Sequence, residues 1–317
     1  MSHDSFSVII PSWNGVNLLP TCLDSLRTQT YRCFETIVVD NASADGTVSL
    51  VRQSYPEVRL VALETNLGFA GGVNAGIARS TGQLVALINQ DVEAAPQWLE
   101  ALVAASRAHP EAGAFASKIM LFDQRDRFHS AGDSYRRDGI PVNRGVWERD
   151  IGQFDQQVDV FGACGGAAAY RKSMLDQIGW LDERFFMYCE DVDLAWRHQL
   201  VGWRTVFVPE AVAFHRLSAS GGGVTASYYT GRNTIYVLAK NVPAPLLRRY
   251  LPTIVAAQGR VARAALGSWR GEAARARLRG QLAGLITWPG LLGSRRSIQR
   301  ARRVSIDYLE NLLQPID

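Results

Sequence analysis

Asp91 closes a run of apolar residues, Leu84-Val-Ala-Leu-Ile88, after Asn89 and Gln90. A carboxylate at that point can hold a divalent cation against a diphosphate. It can equally cap the next helix, which the Pro96-Gln-Trp-Leu-Glu pattern announces. Asp40 ends a second apolar run from Phe34, and His215 closes a further one from Arg204 to Phe214. One polar strand end is ordinary, but several converging on one sheet edge favour a nucleotide pocket over chance capping. A second acidic group, Glu190-Asp-Val-Asp193, stands at the start of a helix, where the helix dipole stabilises negative charge. The Gly-rich stretch from Asn66 to Gly76 lacks the Gly-x-Gly-x-x-Gly spacing, and no Gly-x-x-x-x-Gly-Lys-[Ser/Thr] occurs. Dinucleotide and P-loop chemistry are therefore weakly supported.

The elements that must carry these residues follow from apolar spacing. Residues 6–11 form a strand stopped by Pro11, and Asn14 or Asn17 caps a helix carried by Leu18, Leu19, Cys22, Leu23 and Leu26. Strands at 34–40, 58–63 and 84–92 alternate with helices at about 47–55, after Asn66, and from Pro96 to His109. Such alternation, with strands apolar throughout, predicts an α/β fold with a Rossmann-like, mostly parallel sheet flanked by helices. Residues 114–122 and 204–214 read as further strands, while 123–160 read as a long polar loop of functional character. The small residues from Phe161 to Tyr170 would let backbone or ligand approach closely.

The chain has 317 residues, 47% hydrophobic and 20% charged, which suits one large domain with an appendage, or two domains. Its net charge of +4 conceals an asymmetry: residues 1–239 carry 20 Lys and Arg against 26 Asp and Glu, whereas residues 240–317 carry 14 against 4. A basic end on an acidic body suggests an anionic surface as partner. Cys22, Cys33, Cys164 and Cys189 show no metal-type or disulfide-framework spacing and read as reduced thiols of a cytoplasmic protein. No secretory leader is visible at the N-terminus, and no apolar run reaches the roughly 20 residues that span a bilayer.

Taken in order, Val8-Ile-Ile-Pro-Ser-Trp-Asn14, Val38-Val-Asp-Asn-Ala-Ser-Ala-Asp-Gly-Thr47, Asn66-Leu-Gly-Phe-Ala-Gly-Gly-Val-Asn74, Asn89-Gln-Asp91, Glu190-Asp-Val-Asp193 and His215 resemble glycosyltransferase family 2. Within it, the likeness is to bacterial rhamnosyltransferase-type enzymes, over about residues 5–240. The resemblance implies a GT-A fold and an inverting, metal-dependent transfer of a sugar, rhamnose from dTDP-rhamnose, onto a glycan or lipid-linked acceptor. It implies that Asp40 binds the nucleobase, since a carboxylate can accept the N3–H of uracil or thymine. Pro11, Ser12, Asn14, Gly68, Gly71, Gly72, Asn74 and Asn89 are implied donor contacts. Asp91 and His215 are implied ligands of Mg²⁺ or Mn²⁺, and Asp191, with Glu190 as rival, is the implied general base. Asn89 departs from the family's Asp-x-Asp motif, where its amide can still hydrogen-bond the ribose. Val73 departs from a second polar residue.

Residues 1–240 are then the catalytic domain and 241–317 a basic helical extension. Its arginines alternate with Leu246, Leu247, Tyr250, Leu251 and Ile254, a pattern that suits the interface of an anionic membrane or, alternatively, packing on the core or a dimer contact. A peripheral protein on the inner membrane face is expected, with no nucleic acid among its partners and no oligomeric state fixed. Ser218-Ala-Ser-Gly-Gly-Gly223 reads as a closing loop or a passive turn. The alternatives are a UDP-sugar transferase of the same fold, a sugar nucleotidyltransferase, and a membrane-docked scaffold without metal chemistry. Against the second, Ser12-Trp-Asn-Gly15 stands where a basic phosphate loop would follow strand one.

Overall fold

The computed structural model describes residues 5–155, 159–217, 219 and 222–316. Four strands alternate with three helices in the N-terminal half: β1 (Phe6–Ser12), α1 (Leu19–Arg27), β2 (Phe34–Asp40), α2 (Thr47–Ser54), β3 (Arg59–Ala62), α3 (Gly68–Ile77) and β4 (Leu84–Ile88). There follow β5 (Val92–Ala94), α4 (Trp98–Ala108), β6 (Ala112–Leu121) and the short strands β7 (Phe128–Ala131), β8 (Asp133–Tyr135), β9 (Pro141–Asn143) and β10 (Asp159–Val160). β11 (Ala167–Arg171), α5 (Lys172–Ile178), α6 (Glu190–Val201) and β12 (Arg204–His215) complete the sheet, whose order is β10-β12-β6-β11-β4-β1-β2-β3. β5 pairs with β12 and β7 with β6.

β1, β2, β3 and β4 pair in parallel, and β12 pairs in parallel with β6. β11 lies antiparallel between β4 and β6, so the ends of β1, β2, β4 and β12 share one sheet edge. Alternation along the strands sorts side chains between two layers. Val8, Ile10, Val38, Ala86 and Ile88 pack with α1 and α4, while Ile9, Ile37, Val39, Val85 and Leu87 pack with α3. Burying each Val, Leu or Ile side chain stabilises the fold by about 1.5–3 kcal/mol.

Two sequence expectations change here. The tract at 123–160 is not one open loop, since β7 to β10 run through it. The stretch 161–170, read as small residues admitting close approach, contains most of β11. Ala167, Ala168 and Ala169 are fully buried between two strands, so burial on both faces overrides the weak strand propensity of alanine.

The C-terminal helices are α7 (Gly223–Lys240), α8 (Ala244–Gly267), α9 (Glu272–Thr287), α10 (Leu292–Ala301) and α11 (Ile306–Leu312). Trp196 and Leu200 of α6 share a buried cluster with Val237, Leu246, Ile254 and Leu309. The boundary expected at 240 is therefore crossed by a continuous core. α7 and α9 approach closely because Gly280 has no side chain: a Cβ there would lie 2.1 Å from the Tyr228 carbonyl oxygen. Among the described residues, no helix is long and apolar enough to cross a membrane.

Candidate active site

The pairing of β5 with β12 sets His215 opposite Val92 and so beside Asp91. His215 Nε2 lies 3.2 Å from Asp91 Oδ1, and the Arg216 amide donates to the Asp91 carbonyl oxygen at 3.0 Å. The other ring nitrogen, His215 Nδ1, is 3.0 Å from His129 Nδ1 on β7. Burial, reinforced by His215, pushes His129 down to about 3, so it is neutral near pH 7. Asn89 donates its backbone N–H to the Gly166 carbonyl oxygen, and its Oδ1 is buried with no hydrogen-bond partner among the described residues. An amide oxygen, a carboxylate and an imidazole at one strand end form a donor set that fits Mg²⁺ or Mn²⁺. Gln90, between them, is structural: it accepts from Ser12 Oγ at 2.6 Å and exchanges bonds with the Trp13 backbone.

The second acidic group enters from α6. Phe186, Tyr188 and Cys189 all have positive φ, a costly conformation for residues with side chains. Asn233 of α7 holds that turn by donating Nδ2 to the carbonyls of Phe185, Met187 and Tyr188 at 2.9, 2.9 and 2.7 Å. The turn aims Asp191 into the site, where Oδ2 accepts from Gly165 N at 2.9 Å and Oδ1 from Val192 N at 2.8 Å. Burial raises the Asp191 pKa despite these two donors. Asp133, Cys164 and Asp191 place ligand atoms within 4.8 Å of one another. Burial and then the charge of Asp191 raise Asp133 well above the carboxylate range, so the two carboxyls together favour retaining a proton. Glu190 is also raised well above its range by burial and by Asp191, and its Oε2 has no partner among the described residues. Asp193 has another role: burial works to raise it, but Lys240 and Arg197, at 2.6 and 2.8 Å, hold it low.

These groups share one cavity of about 640 Å³, a size ordinary for small-molecule sites. It brings together Asn89, Asp91, His215, Asp133, Glu190 and Asp191, and its lining also includes Thr230 of α7 and Arg277 of α9. The remaining expected donor contacts do not line it. Asp40 lies on the same sheet edge, buried, with Oδ2 accepting from Ser43 N at 3.1 Å and Oδ1 without a partner among the described residues. Pro11 and Ser12 are buried at the end of β1, and Asn14 exchanges bonds with Ser43 and Ala44. Asn74 is spent on framework: its amide binds the Leu181 backbone at both ends and the Glu183 side chain. Gly68, Gly71 and Gly72 likewise serve packing. Gly68 has φ +73, and a Cβ would sit 2.4 Å from the Phe186 carbonyl oxygen. A Cβ would also meet Leu67 at Gly71 and Asn41 Nδ2 at Gly72. The loop at Ser218–Gly223 lies partly outside the described residues.

Sequence reasoning missed His129, Asp133, Asn233 and Arg277. His129 and Asp133 sit on short strands inside an unpatterned polar tract, while Asn233 and Arg277 act from helices far along the chain.

The model of the family described as glycosyl transferase family 2 matches residues 7–179, more than half of the chain. The chain belongs to glycosyltransferase family 2. It is 32% identical over 254 residues to the N-acetylglucosaminyl-diphospho-decaprenol L-rhamnosyltransferase of Mycobacterium tuberculosis, covering 71% of this chain and 80% of that protein. The TarS 1-349 crystal structure from S. aureus superposes with a TM-score of 0.58 at 18% identity, over 98% of this chain and 83% of that one. A mannosyltransferase of Pyrobaculum calidifontis, solved with GDP-Man and Mn²⁺, gives 0.53 at 19% identity, over 97% and 82%. These neighbours share the GT-A fold, and the family 2 chain described here is a glycosyltransferase.

Proposed function

We propose that this family 2 enzyme is an inverting, divalent-cation-dependent rhamnosyltransferase that moves rhamnose from dTDP-rhamnose to a lipid-linked diphospho-sugar. The observation that carries the reading is the cavity itself, which Asp91, His215 and Asp191 line together. The name of the mycobacterial relative supports both the sugar and the acceptor class. UDP-sugars remain the second donor class, because Asp40 would accept the N3–H of either base, and its buried oxygen without a partner among the described residues favours such a contact.

Asp91 and His215, with Asn89 beside them, would hold Mg²⁺ or Mn²⁺, and the Mn²⁺ in the Pyrobaculum neighbour supports that assignment. When bound, the cation would neutralise charge on the departing diphosphate. Asp191 takes the proton from the acceptor hydroxyl, and its raised pKa makes it a stronger base than an ordinary aspartate. The Gly165 and Val192 amides fix the carboxylate against rotation, and attack by the hydroxyl from the face opposite the diphosphate would invert the anomeric centre. Burial and the charge of Asp191 raise both Asp133 and Glu190, and Glu190 is the rival candidate for base.

Residues 1–240 would supply this chemistry, and the basic helices 241–317 would dock the enzyme on the cytoplasmic face of an anionic membrane. Leu251, Val255, Leu282, Leu285, Ile286 and Trp288 are exposed there, amid arginines.

The test is incubation with Mn²⁺, dTDP-rhamnose or UDP-sugars, and an N-acetylglucosaminyl diphosphate lipid, followed by mass spectrometry of the product. The reading requires a mass gain of one deoxyhexose and release of dTDP. Transfer from UDP-sugars alone would reassign the donor, and release of pyrophosphate would replace the reaction class.

A further inference from the structure

Arg277 stands apart from every other charged group of the cavity. Four carboxylates line that space, Asp91, Asp133, Glu190 and Asp191, yet Arg277 forms no ion pair or side-chain hydrogen bond among the described residues. Other arginines of this region are committed. Arg232 donates to the carbonyls of Arg184 and Phe185, and Arg184 pairs with Asp182 at 2.6 Å. The Arg277 side chain is partly buried, and burial lowers its pKa. An arginine nonetheless keeps its proton at any ordinary pH, so a half-desolvated positive charge faces the cavity.

The Arg277 side chain packs against Gly231 of α7, two residues from the Asn233 that holds the turn before Glu190 and Asp191, and it lines the cavity together with those two acids. α9 is held there by its close contact with α7 at Gly280. The same helix turns an apolar face outward: Leu282, Leu285 and Ile286 are 58%, 59% and 66% exposed, followed by Trp288. One helix thus offers a guanidinium to the cavity and an apolar face to the outside. A ligand combining an anionic group with a hydrocarbon chain matches both, and a guanidinium binds phosphate oxygens in a bidentate fork.

We propose that Arg277 is the anion-binding group of the acceptor subsite, gripping the diphosphate of a lipid-linked acceptor so that its sugar hydroxyl meets Asp191. This rests on the acceptor class given under the proposed function, but its test does not depend on turnover.

Farnesyl diphosphate and farnesol are titrated calorimetrically into the 317-residue chain, with the donor site filled by dTDP and Mn²⁺. Arg277→Gln should weaken farnesyl diphosphate binding by about tenfold or more and leave farnesol and dTDP affinities unchanged, as expected for loss of a charge-assisted bond. Arg277→Lys, which keeps the charge but not the fork, should fall between, and it decides the matter if the glutamine variant does not fold. Unchanged farnesyl diphosphate binding in the variants, or no such binding by the wild type, would overturn the proposal. An equal loss of dTDP affinity would overturn it too, by moving Arg277 to the donor. Failure of wild-type dTDP binding would instead count against the donor reading, so the two failures are distinguishable.

Discussion

His215 Nε2 lies 3.2 Å from Asp91 Oδ1 because a three-residue strand, β5, folds back against the last strand of the sheet. Two residues distant in sequence thereby present one carboxylate and one imidazole to the same point. His215→Ala should lower Mn²⁺ affinity, read by electron paramagnetic resonance with dTDP present, on the order of tenfold or more. Chelation should stop transfer, and added Mn²⁺ should restore it. Affinity unchanged in the variant would remove His215 from the cation site.

Glu190 is buried with one carboxylate oxygen lacking a partner among the described residues, and its folded pKa lies well above its unfolded one. The folded state then binds the proton more tightly. The stability tied to this group is complete below the ordinary glutamate range and is lost as pH rises through the folded pKa. Glu190→Gln should therefore raise stability at pH 8 by on the order of 1 kcal/mol and flatten the pH dependence of Tm. A lower Tm at pH 8 would show that the charged form is favoured by the fold.

Asp193 belongs to the scaffold. It is fully buried between Lys240, Arg197 and Asn241, and so joins α6 to the end of α7. Asp193→Ala leaves Arg197 without its carboxylate and Lys240 with Asp182 alone, and should cost about 3–5 kcal/mol in chemical denaturation. A loss of activity with stability intact would instead place Asp193 in the chemistry.

The parallel strands were legible because uninterrupted apolar runs ending in polar residues leave few alternatives, and Asp91, Asp191 and His215, singled out by strand-end position and motif order, line one cavity. β11 was hidden by its alanines, whose burial depends on neighbours that no local pattern reveals. Asn74 and the glycines of α3 looked like ligand contacts, whereas their bonds and close approaches hold α3 against β1, β2 and the 181–186 turn. The charge asymmetry identified the basic helices, but periodicity could not tell a detachable tail from one sharing a core with α6.

That shared core changes what truncation should do. Removing residues after Lys240 exposes Trp196, Leu200 and Val237, so the product should aggregate rather than persist as a soluble catalytic domain. Membrane docking is better tested on the outer face of the tail. Leu285→Glu with Ile286→Glu should keep the wild-type Tm and reduce sedimentation with phosphatidylglycerol vesicles by about tenfold, since each exposed apolar side chain contributes roughly 1.5 kcal/mol or less on partial insertion. Unaltered sedimentation would exclude this face.

Asp191 carries the central claim, since its raised pKa should set the acid limb of kcat/KM above the ordinary aspartate range. The direct measurement is single-turnover transfer by Asp191→Asn, alongside calorimetric binding of dTDP with Mn²⁺. Transfer should fall by about 10²–10⁴-fold while dTDP affinity stays within about twofold. Transfer at a near wild-type rate by that variant would contradict the account and return the proton to another acceptor.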